Sequence, residues 1–332
     1  MRPEATAVFI RASGERTEDE CLRAIEAQGV NSDQIEYIRE APFSKALLVG
    51  YSRAIEKGAE WSYFIDADIL LRPKSIDALQ RFAARQGKDV FCFQGYFLDK
   101  FTVSLRDGGV HAYRTSFLGR ALALAAQAQE NIRPESAVKI ALMRQGLRWE
   151  KFNFVVGIHD FEQYNFDIFR KGFVHAQKHF HLLPDLLPKL KRRAVLDSDY
   201  SVLIDGIAEG LRARDDARID IHYPPFAERF ATLGIGEKAA MRPGELSSEG
   251  VEDILSEQAK NADLVVRGLP YSAREAIHLD GTERLGRISR LAVLWRRKRE
   301  HHSFLGSMAH AAGQCFEGVG SWFKRVAGSM TN

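Results

Sequence analysis

Short apolar runs alternate with helical patterns through the first hundred residues, and this alternation limits the fold more than any other feature of the sequence. Residues 7–10, 35–38, 61–65 and 89–93 each have the length and composition of a buried strand. A stripe of apolar residues at helical spacing lies between each run and the next. Strands separated by single helices need crossover connections. The order therefore predicts an α/β fold with a mostly parallel sheet and helices on both faces.

The pattern changes after residue 100. Residues 106–109, Arg-Asp-Gly-Gly, predict a hairpin turn between antiparallel strands at 101–105 and 110–113. Apolar residues at helical spacing then predict a helix over about 160–171 that ends at Gly172, and a strand is predicted at 173–176.

Two prolines, Pro184 and Pro188, predict a domain boundary near residue 187. We therefore expect an N-terminal α/β domain over residues 1–187 and a mainly helical C-terminal domain over residues 188–332. The second part ends in an amphipathic segment that follows the basic run 296–299. Such a segment either packs on its own domain or holds a protein at an anionic membrane surface.

The composition excludes several classes of protein. Lys and Arg total 47 against 44 for Asp and Glu, and this balance argues against a large nucleic-acid surface, which needs concentrated basic charge. Cys21, Cys92 and Cys315 form no CxxC pair, so we expect neither a disulfide framework nor a Cys-rich zinc site. The sequence has no signal-peptide pattern and no apolar run of membrane-spanning length. We expect a cytoplasmic protein, with peripheral contact to the inner face of the membrane as an option for the C-terminal segment.

Two carboxylates directly follow the third apolar run, at Asp66-Ala67-Asp68. Ligands of a doubly wound sheet bind outside the carboxyl ends of its strands. Residues i and i+2 of an extended segment point to the same side, so Asp66 and Asp68 can face one ligand. Hard oxygen ligands suit Mn²⁺ or Mg²⁺, which would bridge a diphosphate. A solvated loop at the strand end is the plain alternative.

Several further motifs occur in a definite order along the chain. They are Arg11-Ala12-Ser13 after the first strand, Glu40 after the second, a helix with Lys45 and Arg53, Asp66-Ala67-Asp68, Tyr113-Arg114, and His159-Asp160-Phe161-Glu162. In this order residues 5 to about 180 resemble the GT-A glycosyltransferases, particularly the large inverting family 2. The last motif stands where that family usually has a Glu-Asp pair.

The resemblance implies a reaction and a set of roles. A sugar would pass from a nucleoside diphosphate sugar, with UDP-sugars favoured by the habits of the family, to a saccharide, lipid-linked or protein acceptor. Asp68 would bind the metal directly, and Asp66 would lie near the ribose or the metal. The residues that the resemblance places around the donor are Arg11, Ala12, Ser13, Glu40, Lys45, Asp66, Ala67 and Asp68. For Lys45 a solvated helix face is an equally good interpretation.

The resemblance also implies a base and a further metal ligand. Asp160 or Glu162 would deprotonate the acceptor hydroxyl. A histidine downstream of the base, His179 or His181, would complete the metal site. From the residues alone, Asp160 could instead cap a helix, and the two histidines could lie in a surface loop.

Two other functions fit parts of the sequence. One is an HD-type metal-dependent phosphohydrolase centred on His159-Asp160, with His111 and Asp167 or His175 as further ligands. Such sites are built on helical bundles, and the strand-rich first hundred residues argue against one. The other is a non-catalytic binding module that keeps the GT-A fold.

Overall fold

The computed structural model describes residues 6–131, 133–213, 222–261, 264–266, 269 and 272–278. All of these except residue 269 belong to one compact unit, which comprises residues 1–267 and 271–282. The second unit comprises residues 268–270 and 283–332. The basic run, the C-terminal amphipathic segment and Cys315 therefore lie outside the described residues.

The strands of the described part form one mixed sheet. Their bounds are β1 Thr6–Arg11, β2 Ile35–Ile38, β3 Trp61–Asp66, β4 Ile69–Leu71, β5 Val90–Asp99, β6 Ser104–Arg114, β7 Arg148–His159 and β8 Val265–Val266. Seven of them lie in the spatial order β2-β1-β3-β6-β5-β7-β4, and β8 pairs with β6. Strand β1 is parallel to both β2 and β3. Strand β5 is parallel to β7, and β6 is parallel to β8. Strand β6 is antiparallel to both β3 and β5.

Helices cover both faces of this sheet. Their bounds are α1 Glu18–Glu26, α2 Phe43–Lys57, α3 Ser75–Ala83, α4 Leu118–Gln127, α5 Pro134–Arg144, α6 Asn165–Lys178, α7 Leu183–Arg193, α8 Asp199–Arg212, α9 Pro224–Thr232, α10 Ser248–Gln258 and α11 Ala273–His278. Neighbouring residues of a strand point to opposite faces. Phe64 of β3 packs against Tyr51 of α2, with ring centroids 5.7 Å apart. Tyr63 contacts Phe93, which packs against Phe82 of α3.

The predicted fold class, an α/β fold of the Rossmann-like GT-A type with a helix-flanked sheet, is confirmed. Strands β1, β2 and β3 begin and end within one residue of the predicted runs. The short strand β4 and the long strand β7 were not predicted. After β7, the described chain is helical apart from short 3₁₀ and loop segments and β8. The division into two domains at residue 187 stays a prediction.

The predicted hairpin turn at 106–109 is wrong, because these residues lie inside β6. The chain reverses instead at residues 100–103, between β5 and β6. Gly108 and Gly109 have φ values of 147° and 56°, and β5 shifts register between Gln94 and Tyr96. Paired glycines can mark an irregularity within a strand as well as a turn, and here they lie where the pairing of β5 with β6 shifts register.

The predicted helix over 160–171 and the strand at 173–176 are replaced by one helix, α6. Gly172 does not end this helix. A Cβ at Gly172 would lie 2.3 Å from the carbonyl oxygen of Leu203 in α8, so the glycine permits close packing of the two helices. One hydrophobic core lies between the sheet and helices α2, α4 and α5. Around the contact of α6 with α8, helices α6, α7, α8 and α9 form a second core. No described helix combines the length and the apolar composition that crossing a bilayer requires.

Candidate active site

The carboxyl end of β3 carries Asp66, and Asp68 lies two residues further on, in the connection to β4. Strand β1 runs parallel to β3, with Arg11 opposite Asp66. The Ala67 N–H donates to the Arg11 carbonyl oxygen (2.9 Å). The Thr17 hydroxyl donates to the Ala67 carbonyl oxygen (2.8 Å). Contacts from two neighbouring elements therefore hold both acids at the edge of the sheet.

Strand β7 ends at the same edge and brings His159 and Asp160 to the acid pair. It pairs antiparallel with β4, with Ile69 opposite His159. The Asp160 N–H donates to the Asp68 carbonyl oxygen (3.1 Å). One ligand atom from each of Asp68, His159 and Asp160 lies within 4.8 Å of the other two. We call these three residues the Asp–His–Asp group.

Asp160 is held in this group in an unusual backbone conformation. Its φ is 67°, in the left-handed region that residues other than glycine seldom adopt. Such a conformation persists only where the surrounding structure enforces it, and it is frequent at functional sites. Asp160 does not begin a helix, because the N-cap of α6 is Tyr164.

The Asp–His–Asp group has the chemistry of a divalent-cation site. The Oδ1 atom of Asp68 is buried and has no hydrogen-bond partner in the described part of the chain, a costly state that a cation would relieve. His159 Nε2 lies 3.5 Å from Asp68 Oδ2, and its Nδ1 lies 3.0 Å from Asp99 Oδ2. A carboxylate behind the imidazole orients a metal-binding histidine. Two carboxylates and an imidazole suit Mn²⁺, and suit Mg²⁺ less well because Mg²⁺ prefers oxygen ligands.

Lys171 of α6 neutralises part of the negative charge of this group. Its Nζ donates to Asp68 Oδ2 (2.7 Å) and to Asp160 Oδ1. Burial acts to raise the pKa of Asp68, but Lys171 and then His159 outweigh it and hold that pKa well below its usual range. Asp68 is therefore a carboxylate at neutral pH.

Asp66 is bound differently from Asp68. The Arg11 Nε donates to Asp66 Oδ1 (2.6 Å), and another nitrogen of the same guanidinium donates to Glu135 Oε1 (3.0 Å). The Tyr113 hydroxyl also donates to Glu135 (3.0 Å). Burial raises the pKa of Asp66, Arg11 opposes this shift, and Asp68 adds to it. The side chain of Arg11 thus positions Asp66 from inside the protein.

A glycine on β6 makes room for both Asp66 and the start of β4. A Cβ at Gly109 would lie 3.2 Å from Asp66 Oδ2 and 2.2 Å from Ile69 Cδ1. Its φ of 56° also favours glycine. The Arg-Asp-Gly-Gly sequence therefore shapes the site instead of forming a turn.

Two cavities open on either side of the Asp–His–Asp group. The first, of about 360 Å³, is lined by the end of β1 and by the segment between β2 and α2, and we call it the β1-side cavity. The second, of about 230 Å³, is lined by the end of β5, by α6 and by α8, and we call it the α6-side cavity. Asp68 lines the first cavity, His159 and Asp160 line the second, and Lys171 lines both.

The structure brings together most of the residues that were predicted to bind the nucleotide-sugar donor. Those that line the β1-side cavity are Arg11, Ala12, Ser13, Glu40, Asp66 and Asp68. Ala67 is buried behind them. Lys45 does not line this cavity; its side chain is 58% exposed and its Nζ lies 2.6 Å from Glu40 Oε2.

The other predicted residues are more scattered. Glu162 lines neither cavity, and Arg16 donates to its carboxylate (2.7 Å). His179 lines the α6-side cavity, where its Nε2 lies 3.0 Å from an Arg133 nitrogen. His181 is exposed beside His179. Neither of these two histidines belongs to the metal-ligand group found among the described residues.

The site predicted from the sequence has no role for His159, Asp99, Lys171 or Glu135. The apolar run 152–158, which alternates in part, could have been recognised as a strand that ends at His159, beside the end of β3. The other three join the site through contacts distant in sequence, for which no local pattern exists.

The ligand set suggested for an HD-type site is not brought together in the described part. His159 and Asp160 end a strand instead of lying on a helical bundle. His111 lies on β6, with its Nε2 3.3 Å from Glu135 Oε2. Neither it nor Asp167 or His175 belongs to the Asp–His–Asp group.

No protein-family model and no curated protein matches the sequence. Solved structures with similar folds include a mannosyltransferase from Pyrobaculum calidifontis in complex with GDP-Man and Mn²⁺. The two sequences are 14% identical, the match covers 69% of this chain and 79% of that one, and the TM-score is 0.35. Another is a glycosyltransferase involved in glycosylation of the major capsid of PBCV-1 (13% identity, coverage 44% and 81%, TM-score 0.32). A third is a 4-diphosphocytidyl-2C-methyl-D-erythritol synthase from Anaerococcus prevotii (10% identity, coverage 45% and 88%, TM-score 0.34). Similarity at this level says nothing about the substrate of this chain, and membership of family 2 stays a prediction.

Proposed function

We propose that this protein is a metal-dependent glycosyltransferase that moves a sugar from a nucleoside diphosphate sugar to an acceptor hydroxyl, with inversion at the anomeric carbon. The observation that carries the proposal is the meeting of Asp68, His159 and Asp160 at one edge of the sheet, between two cavities. A donor and an acceptor must approach one reaction centre from different sides. Two cavities that share one wall meet this requirement.

The donor enters the β1-side cavity in this proposal. Its nucleoside lies between Ser13 and Glu40, and its diphosphate reaches Asp68, where Mn²⁺ or Mg²⁺ is held. When bound, the ion stabilises the negative charge that develops on the departing diphosphate. Asp66, held by Arg11, faces the ribose or the sugar. A UDP-sugar is the first donor to test, because the family that the sequence resembles favours it.

The acceptor enters the α6-side cavity, and Asp160 accepts the proton of its hydroxyl. Asp160 is buried and lines this cavity. Glu162 lines neither cavity and is paired with Arg16. Of the two candidate bases, Asp160 therefore has the more suitable position. A base at this place would contribute roughly 10²–10⁴-fold to the rate.

Substitution of Asp160 tests this role. We expect Asp160→Asn to lower kcat by about 10²-fold or more, because the amide cannot accept the proton. Glu162→Gln is the matched control and should keep most of the activity. If Glu162→Gln instead loses activity and Asp160→Asn keeps it, the base is Glu162.

A panel of nucleotide sugars tests the reaction itself. Each compound is assayed with Mn²⁺ for thermal stabilisation of the protein and for release of the nucleoside diphosphate in the presence of candidate acceptors. We expect one donor class to stabilise the wild-type protein and to be consumed. Binding without consumption across the acceptor panel would favour a binding module. Phosphate release from nucleotides that carry no sugar would favour a phosphohydrolase.

A further inference from the structure

Lys171 bridges the two carboxylates of the Asp–His–Asp group. Its Nζ donates to Asp68 Oδ2 (2.7 Å) and to Asp160 Oδ1. Two carboxylates this close repel each other, and a cation between them removes the repulsion. The Lys171 side chain thus occupies two of the oxygen atoms that a divalent ion would use.

The position of Lys171 is fixed by helix packing. Lys171 lies in the middle of α6, next to Gly172, whose missing Cβ lets α6 approach the backbone of α8. Phe169 and Phe173, two residues to either side, are buried in the second core. The Lys171 backbone therefore cannot move far, whereas its four-carbon side chain can rotate. The side chain is 23% exposed, and it lines both cavities.

We propose that Lys171 is a tethered cation that a divalent ion displaces from Asp68 and Asp160, and that the released ammonium then binds a phosphate oxygen of the donor. This inference rests on the proposed function, because it assumes that the group binds a metal. Its consequence is that Lys171 acts in opposite directions on two ligands. It weakens the binding of the metal alone and strengthens the binding of the metal with a nucleoside diphosphate.

The Lys171→Met variant tests the two opposite effects of Lys171, on the binding of Mn²⁺ alone and on the binding of a nucleotide together with Mn²⁺. Free Mn²⁺ is followed by its electron paramagnetic resonance signal, and UDP and GDP binding is measured by calorimetry at saturating Mn²⁺. We expect the variant to bind Mn²⁺ alone at least about tenfold more tightly, because two charge-assisted hydrogen bonds no longer compete with the ion. We expect it to bind the preferred nucleotide about tenfold more weakly, because one charge-assisted hydrogen bond is lost. A purely structural salt bridge would not produce shifts of opposite sign.

Lys178→Met is the matched control. It removes the same charge from the same helix, and Lys178 also lines both cavities. No contact between Lys178 and the Asp–His–Asp group is observed in the described part of the chain. We expect its affinity for Mn²⁺ alone to change by less than about threefold, because only a screened, longer-range charge effect remains. An equal gain in both variants would show a general field effect and would overturn the displacement of Lys171.

A measurement on the wild-type protein covers the case in which Lys171→Met does not fold. Acetylation of each lysine is followed by mass spectrometry with and without Mn²⁺. Displacement predicts that Mn²⁺ increases the labelling rate of Lys171 and leaves that of Lys178 unchanged. An unchanged or reduced rate at Lys171, while Mn²⁺ binds, contradicts the inference.

Asp68→Asn separates failure of this inference from failure of the proposed function. If Asp68→Asn abolishes Mn²⁺ binding while Lys171→Met leaves Mn²⁺ affinity unchanged or weaker, the metal site stands and the tethered-cation role is wrong. If neither the wild-type protein nor Lys171→Met binds Mn²⁺, the metal site and the inference are both wrong.

Discussion

At the scale of single residues, the buried carboxylate of Glu135 binds Arg11, which in turn binds Asp66. Glu135 accepts hydrogen bonds from Arg11 and Tyr113. Burial acts to raise its pKa, but Arg11, His111 and Lys139 outweigh burial and lower that pKa to about 2. Without this partner, the buried Arg11 would have only Asp66 to balance its charge beside the candidate site.

The low pKa of Glu135 predicts a pH dependence of stability. A carboxyl whose pKa falls from 4.5 to about 2 on folding stabilises the folded state above about pH 4.5, by about 3 kcal/mol. The contribution is lost as the pH falls from about 4.5 towards 2. We therefore expect the free energy of unfolding, measured with urea, to fall more steeply between pH 5 and pH 3 for the wild-type protein than for Glu135→Gln.

Glu56→Gln serves as the control for this experiment. Glu56 lies on the surface of α2 with its side chain 63% exposed. Its substitution should leave the wild-type pH profile unchanged. Parallel profiles for the wild-type protein and Glu135→Gln would contradict the role of the buried carboxylate.

Gly109 predicts a second effect at this scale. An alanine there would place its Cβ against Asp66 and Ile69 and would also strain the backbone. We expect Gly109→Ala to lower the free energy of unfolding by about 1–3 kcal/mol and to weaken Mn²⁺ binding. The control is Gly119→Ala in α4, where a Cβ meets nothing within 4 Å. Equal stability of both variants in thermal unfolding would rule out the tight fit.

At the scale of elements, the packing of α6 on α8 determines the position of Lys171. Gly172 of α6 and Gly206 of α8 each face the backbone of the other helix. A Cβ at Gly206 would lie 2.1 Å from the Phe169 carbonyl oxygen. Backbone atoms cannot move aside as a flexible side chain can. A Cβ at Gly206 would therefore force the two helices apart.

Gly206→Ala tests whether this packing supports the site. We expect the variant to lose about 1–3 kcal/mol in urea unfolding, as for an overpacked core position. The Mn²⁺ affinity of the folded fraction should also change, because Lys171 moves with α6. Stability equal to that of Gly119→Ala would mean that α8 adapts and that the close contact is unimportant.

Elements were predictable from the sequence where their signal is local. The β1–α1–β2–α2–β3 order follows from apolar runs and helical stripes that need no knowledge of the remaining chain. The prediction of a helix and a strand within residues 160–178 was wrong because Gly172 does not end a helix. Its missing Cβ instead permits close contact with α8. The predicted hairpin turn at 106–109 was wrong for a similar reason. Gly109 makes room for Asp66 and Ile69 instead of forming a turn.

At the scale of the whole molecule, the candidate site combines residues from distant parts of the chain. The Asp66-Ala67-Asp68 motif was predictable because both acids follow one apolar run. His159 and Asp160 reach Asp68 only through the antiparallel pairing of β4 with β7. That pairing joins two strands that the apolar runs of the sequence did not predict. Neither the pairing nor the approach of Lys171 from α6 has a signature in a single stretch of sequence.

The assembled site predicts that a metal stabilises the whole fold. A ligand that binds only the folded state at one hundred times its Kd raises stability by about 2.7 kcal/mol. We expect Mn²⁺ to raise the Tm of the wild-type protein and to leave that of Asp68→Asn unchanged. The control is Asp77→Asn, an exposed acid on α3 that pairs with Arg81. A Tm that rises equally in all three proteins would indicate nonspecific binding of the ion.

The most direct test of sugar transfer at this sheet edge is a crystal structure with Mn²⁺ and a nucleotide sugar, in which anomalous scattering locates the ion. We predict one manganese peak within about 2.0–2.3 Å of an Asp68 oxygen, with His159 or Asp160 as a further ligand and the donor diphosphate on its other side. A donor bound elsewhere, or bound in the β1-side cavity with no manganese at Asp68, would contradict the account.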